Sequence, residues 1–257
     1  MTTTLVFILA EPSSELAEES RTNILASVFD SDAFVVTVMT QTNTDSEWAS
    51  VKWALNQGLE KSPNSSILLI KNTSVTYADS ITIERIVTAI NVQTYDVAYL
   101  SKWLDQCDKY TSKQPINGTM AVMAKTVAAQ GFQAVLISPS GRDKILLVEN
   151  SSQDFGTWMS GEVASNNIVA LCCIDNVFNV DTNTFTSDED YYKTQLCMIP
   201  NQKSKISPTE EVESEVTETS TTSINSIYYT YWPFWVVIAL ILIFILIIVL
   251  VSRRTYP

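Results

Sequence analysis

From residue 234 to residue 251 the chain runs through eighteen apolar or aromatic side chains without a charge. As a helix rising about 1.5 Å per residue the run is about 27 Å long, the hydrocarbon thickness of an endoplasmic-reticulum-type bilayer, about 27 Å. A helix that is apolar on every side has no polar face to turn toward water, so it suits a membrane rather than a soluble core. Its flanks agree. Tyr228, Tyr229, Tyr231, Trp232 and Trp235 crowd one end, and Arg253 and Arg254 close the other, the kinds of residue that anchor a span at its two interfaces. The sequence predicts a transmembrane helix over 234–252 and a short tail over 253–257.

Two rules give opposite orientations. The basic pair after the span places the tail in the cytosol and the large domain across the membrane. Moving that domain across requires a secretory signal, with a basic start and about 7–15 apolar residues. Met1-Thr-Thr-Thr carries no base, and the apolar run over 5–10 is six residues long. A span this near the C-terminus leaves the ribosome last and inserts after synthesis. The expectation is a tail-anchored protein with its large domain facing the cytosol or a capsid, in a virion inner membrane or a host membrane derived from the endoplasmic reticulum. Arg253 and Arg254 then form a snorkelling anchor on the far side. Asn64, Asn72, Asn117 and Asn150 each begin an Asn-X-Ser/Thr triplet. In a chain rich in Ser, Thr and Asn such triplets arise by chance. Cys107, Cys172, Cys173 and Cys197 are few and two are adjacent, which does not suggest a disulfide framework and fits a reducing side.

The chain contains no histidine. That excludes Ser-His-Asp and Cys-His hydrolases, most zinc sites and the usual general base. Catalysis would fall to carboxylates or a bound ion. A formal charge of −12, with no basic stripe, excludes nucleic acid as a partner.

Composition divides the rest. Residues 1–200 mix apolar and polar side chains and are long enough for one domain with a proper core. Residues 201–233 are an acidic Ser/Thr/Glu-rich stalk ending in the aromatic collar. The stalk lacks the apolar surface to offset its ordering entropy, and a coil of that length spans roughly 30 Å.

Within the domain, strand-like apolar runs at Thr4–Leu9, Phe34–Met39, 66–70 and 96–100 alternate with helical patterns at 15–28, at 46–58 and after Asp79. Trp48, Val51 and Leu55 share one helical face, and Asp79 caps a helix bearing Ile81, Ile83, Ile86, Val87 and Ile90. This order predicts an open, mostly parallel α/β sheet. Ligands of such sheets bind beyond the C-terminal strand ends. That singles out the loops at 10–12, at Lys71, Asn72, Thr73 and Ser74, and at 101–110.

The stretch Trp53-Ala-Leu-Asn-Gln-Gly-Leu-Glu, followed by Ser66-Ile-Leu-Leu-Ile-Lys-Asn-Thr-Ser-Val, resembles the nucleotide-sugar half of family 25 glycosyltransferases. Gly131-Phe-Gln-Ala-Val-Leu-Ile-Ser-Pro-Ser-Gly-Arg-Asp-Lys-Ile-Leu is similar to a strand and helix of that family. Tyr95-Asp-Val-Ala-Tyr-Leu-Ser-Lys-Trp-Leu-Asp-Gln-Cys-Asp resembles a segment of small relatives encoded by large DNA viruses. The resemblance covers about residues 4–150. It implies a sheet of nucleotide-diphospho-sugar transferase type, with acidic residues after the third strand holding a divalent metal on the donor diphosphate. This chain has Lys71, Asn72, Thr73 and Ser74 there. Mg²⁺ or Mn²⁺ requires hard anionic oxygens, and a lysine repels the ion, though Lys71 could itself face a phosphate.

Asp105 and Asp108, three apart, could share a helical face as a base or metal pair, or lie in a solvated turn as capping residues. Cys107 reads as a small buried hydrophobe, since no histidine can activate it. Ser138 and Pro139 read as N-cap and first helical residue, with Arg142, Asp143 and Lys144 exposed. The acidic run at 188–190 reads as a solvated loop. The expected function is a membrane-anchored structural protein, a viral minor capsid or inner-membrane protein joined to the shell through a glycosyltransferase-like domain without catalysis. Its partners would be the lipid bilayer and capsid or other membrane-proximal proteins, and no cofactor or metal is expected. An active membrane-bound glycosyltransferase and a tail-anchored adaptor are the alternatives.

Overall fold

Every residue of β1 (Thr4–Leu9) is buried, as its unbroken apolar run requires of a strand covered on both faces. Side chains alternate along a strand, and here they divide between two cores. Leu5, Phe7 and Leu9 pack with Trp48, Val51 and Leu55 on one face, and Val6 and Ile8 with Leu25, Ile83, Ile86 and Ile90 on the other. The computed structural model describes residues 3–9, 22–39, 46–127, 129–149, 153–184 and 193–197, all within one unit, Met1–Lys205. The expected span, stalk and tail, the anchor residues Trp232, Trp235, Arg253 and Arg254, and the loops at 10–12 and 188–190 lie outside the described residues. Among the described residues no helix is long and apolar enough to cross a membrane.

β1 runs parallel to β2 (Phe34–Met39) and β3 (Ile67–Lys71), between which it lies. A short β4 (Ser74–Val75) pairs outside the main sheet with β10 (Asn179–Val180). The main sheet is completed by β5 (Val97–Trp103), β6 (Thr111–Pro115), β7 (Val122–Lys125), β8 (Gln130–Ile137) and β9 (Ala170–Cys173). Its order is β2-β1-β3-β8-β5-β9-β7-β6. The architecture is mixed α/β with a large, mostly parallel sheet. Two strands run against the rest: β8 at the centre, antiparallel to both β3 and β5, and β7, antiparallel to β6 and β9. Parallel neighbours need a crossover, usually a helix, and among the described residues no α-helix lies between β5 and β8.

Among the described residues, four bounded α-helices and a helical segment at 22–27 flank this sheet. α1 (Glu47–Lys61) is capped by Ser46, whose hydroxyl accepts from the Ala49 N–H at 3.2 Å. Asp79 caps α2 (Ser80–Asn91) by accepting from the Thr82 N–H at 2.8 Å. Ser138 caps α3 (Pro139–Leu146), with proline in its first turn, and Asp154 caps α4 (Phe155–Ala164). α1, α3 and α4 pack on one face and α2 with the helical segment 22–27 on the other. Ile83, Ile86, Val87 and Ile90 of α2 are buried, but Ile81 is 60% exposed.

Two expectations are overturned here. Arg142 is buried, because α3 presses onto the sheet at Gly141, where a Cβ would stand 2.0 Å from the Asp96 carbonyl oxygen. The reduced-cysteine reading also fails. Cys107 and Cys197 form a disulfide across a sequence separation of 90, with Cα atoms 5.5 Å apart. The segment 193–197 reaches Cys107 because the Leu104 and Asp105 N–H groups donate to the carbonyls of Gln195 and Leu196, at 2.7 and 2.9 Å. Cys107 is therefore a bridged residue rather than a core hydrophobe. Cys172 and Cys173 are free and buried, one in each core.

Candidate functional site

β1 and β3 deliver Leu9 and Lys71 side by side at their C-terminal ends, and the Asn72 N–H donates to the Leu9 carbonyl at 2.8 Å. Glu47, in the first turn of α1, lies across from them. Its Oε2 is 2.6 Å from Lys71 Nζ, and its Oε1 accepts from the Gly156 N–H in the first turn of α4 at 3.3 Å. A carboxylate near two helix N-termini is favoured by both dipoles. The Lys71 ammonium also lies 5.0 Å from the centre of the Phe132 ring, within cation–π range. The pair is largely enclosed, at 17% and 25% side-chain exposure. A phosphate arriving here would have to displace Glu47 from Lys71.

Asn72, Thr73 and Ser74 are buried. Gln133 of β8 donates from Nε2 to the hydroxyls of Thr73 at 2.7 Å and Ser74 at 3.0 Å. The Ser74 hydroxyl donates to the Gln133 carbonyl at 3.3 Å, and the Asp181 N–H donates to the Thr73 carbonyl at 2.8 Å. The loop where the resemblance implies metal-holding carboxylates is instead a polar knot joining β3, β8 and β10. Within it the side chains of Thr73, Ser74 and Gln133 satisfy one another, as buried polar groups must.

Asp105 and Asp108 occupy unlike surroundings, and neither lies on an α-helix. Asp105 follows β5, is fully buried and bridges in backbone register to Cys197. Its carboxylate accepts from the Thr126 hydroxyl at 2.8 and 2.9 Å and from the Gln106 N–H at 2.7 Å. Asp108 is exposed on a single 3₁₀ turn, Cys107–Lys109. The expected acidic face is absent because Asp105 belongs to the strand end, where it anchors the segment that carries Cys197.

Around Asp105 lies a buried polar cluster that the sequence reading did not assemble. Lys102 is fully buried and donates from Nζ to the Ile174 carbonyl at 2.8 Å. The Tyr110 hydroxyl lies 3.5 Å from Cys107 Sγ. Burial, followed by the neighbouring Cys172 and Asp105, pushes the Tyr110 hydroxyl well above its usual range. Tyr99 is raised in the same way by burial, then Asp105 and Cys172. Burial lifts the Cys172 thiol to about 12 against the opposing charge of Lys102. These phenols and this thiol stay protonated at neutral pH, so the cluster supplies no nucleophile or base from them. The signal for it in the sequence is Lys102 itself, a lone base inside a strand buried at all seven positions. Glu47 could have been suspected from its place directly after the N-cap.

A groove of about 420 Å³ opens elsewhere, between α2 and the β6–β7 hairpin, lined by Arg85, Thr88, Gln93, Gln114, Ile116 and Met123 among others. The guanidinium of Arg85 donates to the Gly118 carbonyl at 2.9 Å, tying the hairpin tip to the helix.

No family model and no curated protein sequence matches the chain. Solved structures to which it is similar include A197 from STIV, at 13% identity and a TM-score of 0.45, covering 69% of this chain and 83% of that one. A glycosyltransferase involved in the glycosylation of the major capsid of PBCV-1 aligns at 10% identity and a TM-score of 0.45, over 74% of this chain and 98% of that one. A 4-diphosphocytidyl-2C-methyl-D-erythritol synthase aligns at 13% identity and a TM-score of 0.40, over 75% and 97%.

Proposed function

We propose that the chain is a membrane-anchored structural protein, a viral minor capsid or inner-membrane protein. It holds a glycosyltransferase-like domain against an adjoining protein layer and transfers no sugar. One observation carries the reading. The side chains at the strand ends, where a nucleotide sugar would be handled, are engaged with one another: Lys71 with Glu47, Thr73 and Ser74 with Gln133, Asp105 with Thr126. A donor diphosphate needs its developing charge compensated by a metal or by a basic cluster. Lys71 is the single base of its loop, and Glu47 already neutralises it. The apolar run at 234–251 supplies the anchor, the acidic stalk the spacing, and the likeness of residues 95–108 to virally encoded relatives supports the viral setting.

The test is calorimetric titration of the full chain in detergent with a UDP-sugar and Mn²⁺, alongside a hydrolysis assay. No saturable binding and no turnover are expected. Turnover that Asp105→Asn or Asp108→Asn abolishes would establish a transferase and end the structural reading.

A further inference from the structure

We propose that the domain matures in an oxidising, glycan-adding compartment and carries N-linked glycans on Asn64 and Asn117 but not on Asn72. The proposal goes beyond the tether reading and does not depend on it. Two independent observations converge. The first is the Cys107–Cys197 disulfide. Cys197 is exposed and Cys107 half-buried, so the bond is open to thiol exchange, and the glutathione of a reducing cytosol acts on bonds of that kind. A bridge placed this way belongs to a domain that folds where disulfides persist.

The second observation is the way the structure sorts the triplets. Asn64 is exposed in the turn between α1 and β3, just beyond the α1 C-cap Ser62. Asn117 is exposed at the tip of the β6–β7 hairpin. There the Thr119 N–H donates to the Ile116 carbonyl at 3.1 Å and Gly118 takes φ +74°, the turn geometry that places a positive φ in third position. Neither carboxamide makes a hydrogen bond within the described residues, so each is open to solvent and to a large polar substituent. Asn72 is 3% exposed and lies between Lys71 and Thr73 in the strand-end knot. A glycan there would force the knot apart. Asn150 lies outside the described residues.

The chemistry needs two co-reactants of familiar class. In glycan transfer the asparagine carboxamide nitrogen attacks the anomeric carbon of a lipid-diphosphate-linked oligosaccharide. A C–N bond forms, the sugar–phosphate C–O bond breaks, the lipid diphosphate leaves and the amide gives up a proton. In bridge formation the thiols of Cys107 and Cys197 pass two electrons and two protons to the disulfide of a thiol oxidoreductase, which becomes a dithiol. The resulting orientation is opposite to the one expected from the start of the chain. It agrees with the charge rule that places Arg253 and Arg254 in the cytosol.

The experiment uses the full chain isolated from the membranes in which it is made, alkylated before lysis so that open thiols are capped. Peptide mapping with and without a peptide-N-glycosidase reads each asparagine, and the same map reads the cysteines. Expected are glycans at Asn64 and Asn117, a bare Asn72, and a Cys107–Cys197 linked peptide that separates only on reduction. In the same chain routed through a glycosylating secretory host, Asn64→Gln and Asn117→Gln should each remove one glycan. Bare Asn64 or Asn117 in the native protein, an occupied Asn72, or alkylated Cys107 without reduction overturns the proposal. Bare asparagines together with no sugar transfer would leave the tether reading standing and remove this one alone.

Discussion

Replacing Cys107 and Cys197 together by serine should remove one of the largest single contributions to the stability of the domain. The bridge closes a loop with a sequence separation of 90, and that loop contains β6 to β10, α3 and α4. In the chain-entropy model, closing a loop of that size lowers the entropy of the unfolded chain by about 15.5 cal/mol/K, or about 4.6 kcal/mol at 25 °C. Serine keeps the volume close and leaves no lone thiol to exchange with the buried Cys172. For a domain of about 200 residues each kcal/mol moves the melting temperature by about 2–4 °C, so the double variant should melt about 9–18 °C lower. The assay is thermal unfolding of the full chain in detergent, with and without a phosphine reductant. The wild-type chain in reductant should approach the double variant, and the variant itself should not respond. Unfolded without reductant, the wild-type chain should titrate for Cys172 and Cys173 alone. Equal melting temperatures for all samples, or titration of all four cysteines, would refute the argument at its first step.

Gly131 holds φ +68°, and a Cβ on it would stand 1.9 Å from the Trp103 ring. Gly131→Ala should therefore cost at least about 2 kcal/mol, read as a lower urea midpoint at unchanged slope; an unmoved midpoint would mean that the Trp103 ring does not cover this residue. Asp96, immediately before β5, gives a pH signature. Burial favours its neutral form, but hydrogen bonds from Lys144 (2.6 Å), the Val169 N–H (2.8 Å) and Ser140 (3.0 Å), with the Lys144 charge, outweigh it and hold its carboxyl below the usual 3.8. A depressed folded value means the contribution is present above the unfolded value and is lost as pH falls through the folded one. Wild-type stability should thus decline below about pH 4 by a component that Asp96→Asn lacks, and parallel urea-midpoint curves for the two chains would contradict this.

The locally determined parts of the fold were legible. β1 and β2 stand at the bounds their apolar runs mark, and Asp79 and Ser138 cap the helices that follow them, because capping and alternation depend on residues a few positions apart. The reversal of β8 was not legible from residue patterns, since an apolar strand reads the same in either direction. The pairing of Cys107 with Cys197 and the burial of Asp105 depend on a segment about 90 residues away folding back on the end of β5. At the candidate site the sequence singled out Lys71, Asn72, Thr73 and Ser74 as residues without a carboxylate among them. It missed Glu47 and Gln133, which lie on other elements and decide what that loop can hold.

The disulfide also fixes how the domain bears tension. With the chain anchored beyond residue 234 as proposed, any pull from the membrane enters the described fold at Cys197. There it crosses two sulfur atoms to Cys107, a few residues past β5. The load bypasses β6, β7 and β10 and both α3 and α4, which lie inside the covalent loop, and falls on β5. That strand is laddered on both sides, to β8 and to β9, so a pull along its axis shears several hydrogen bonds at once instead of unzipping them singly. β6, β7 and β10, which do not pair with β5, can open and reclose without lengthening the tether.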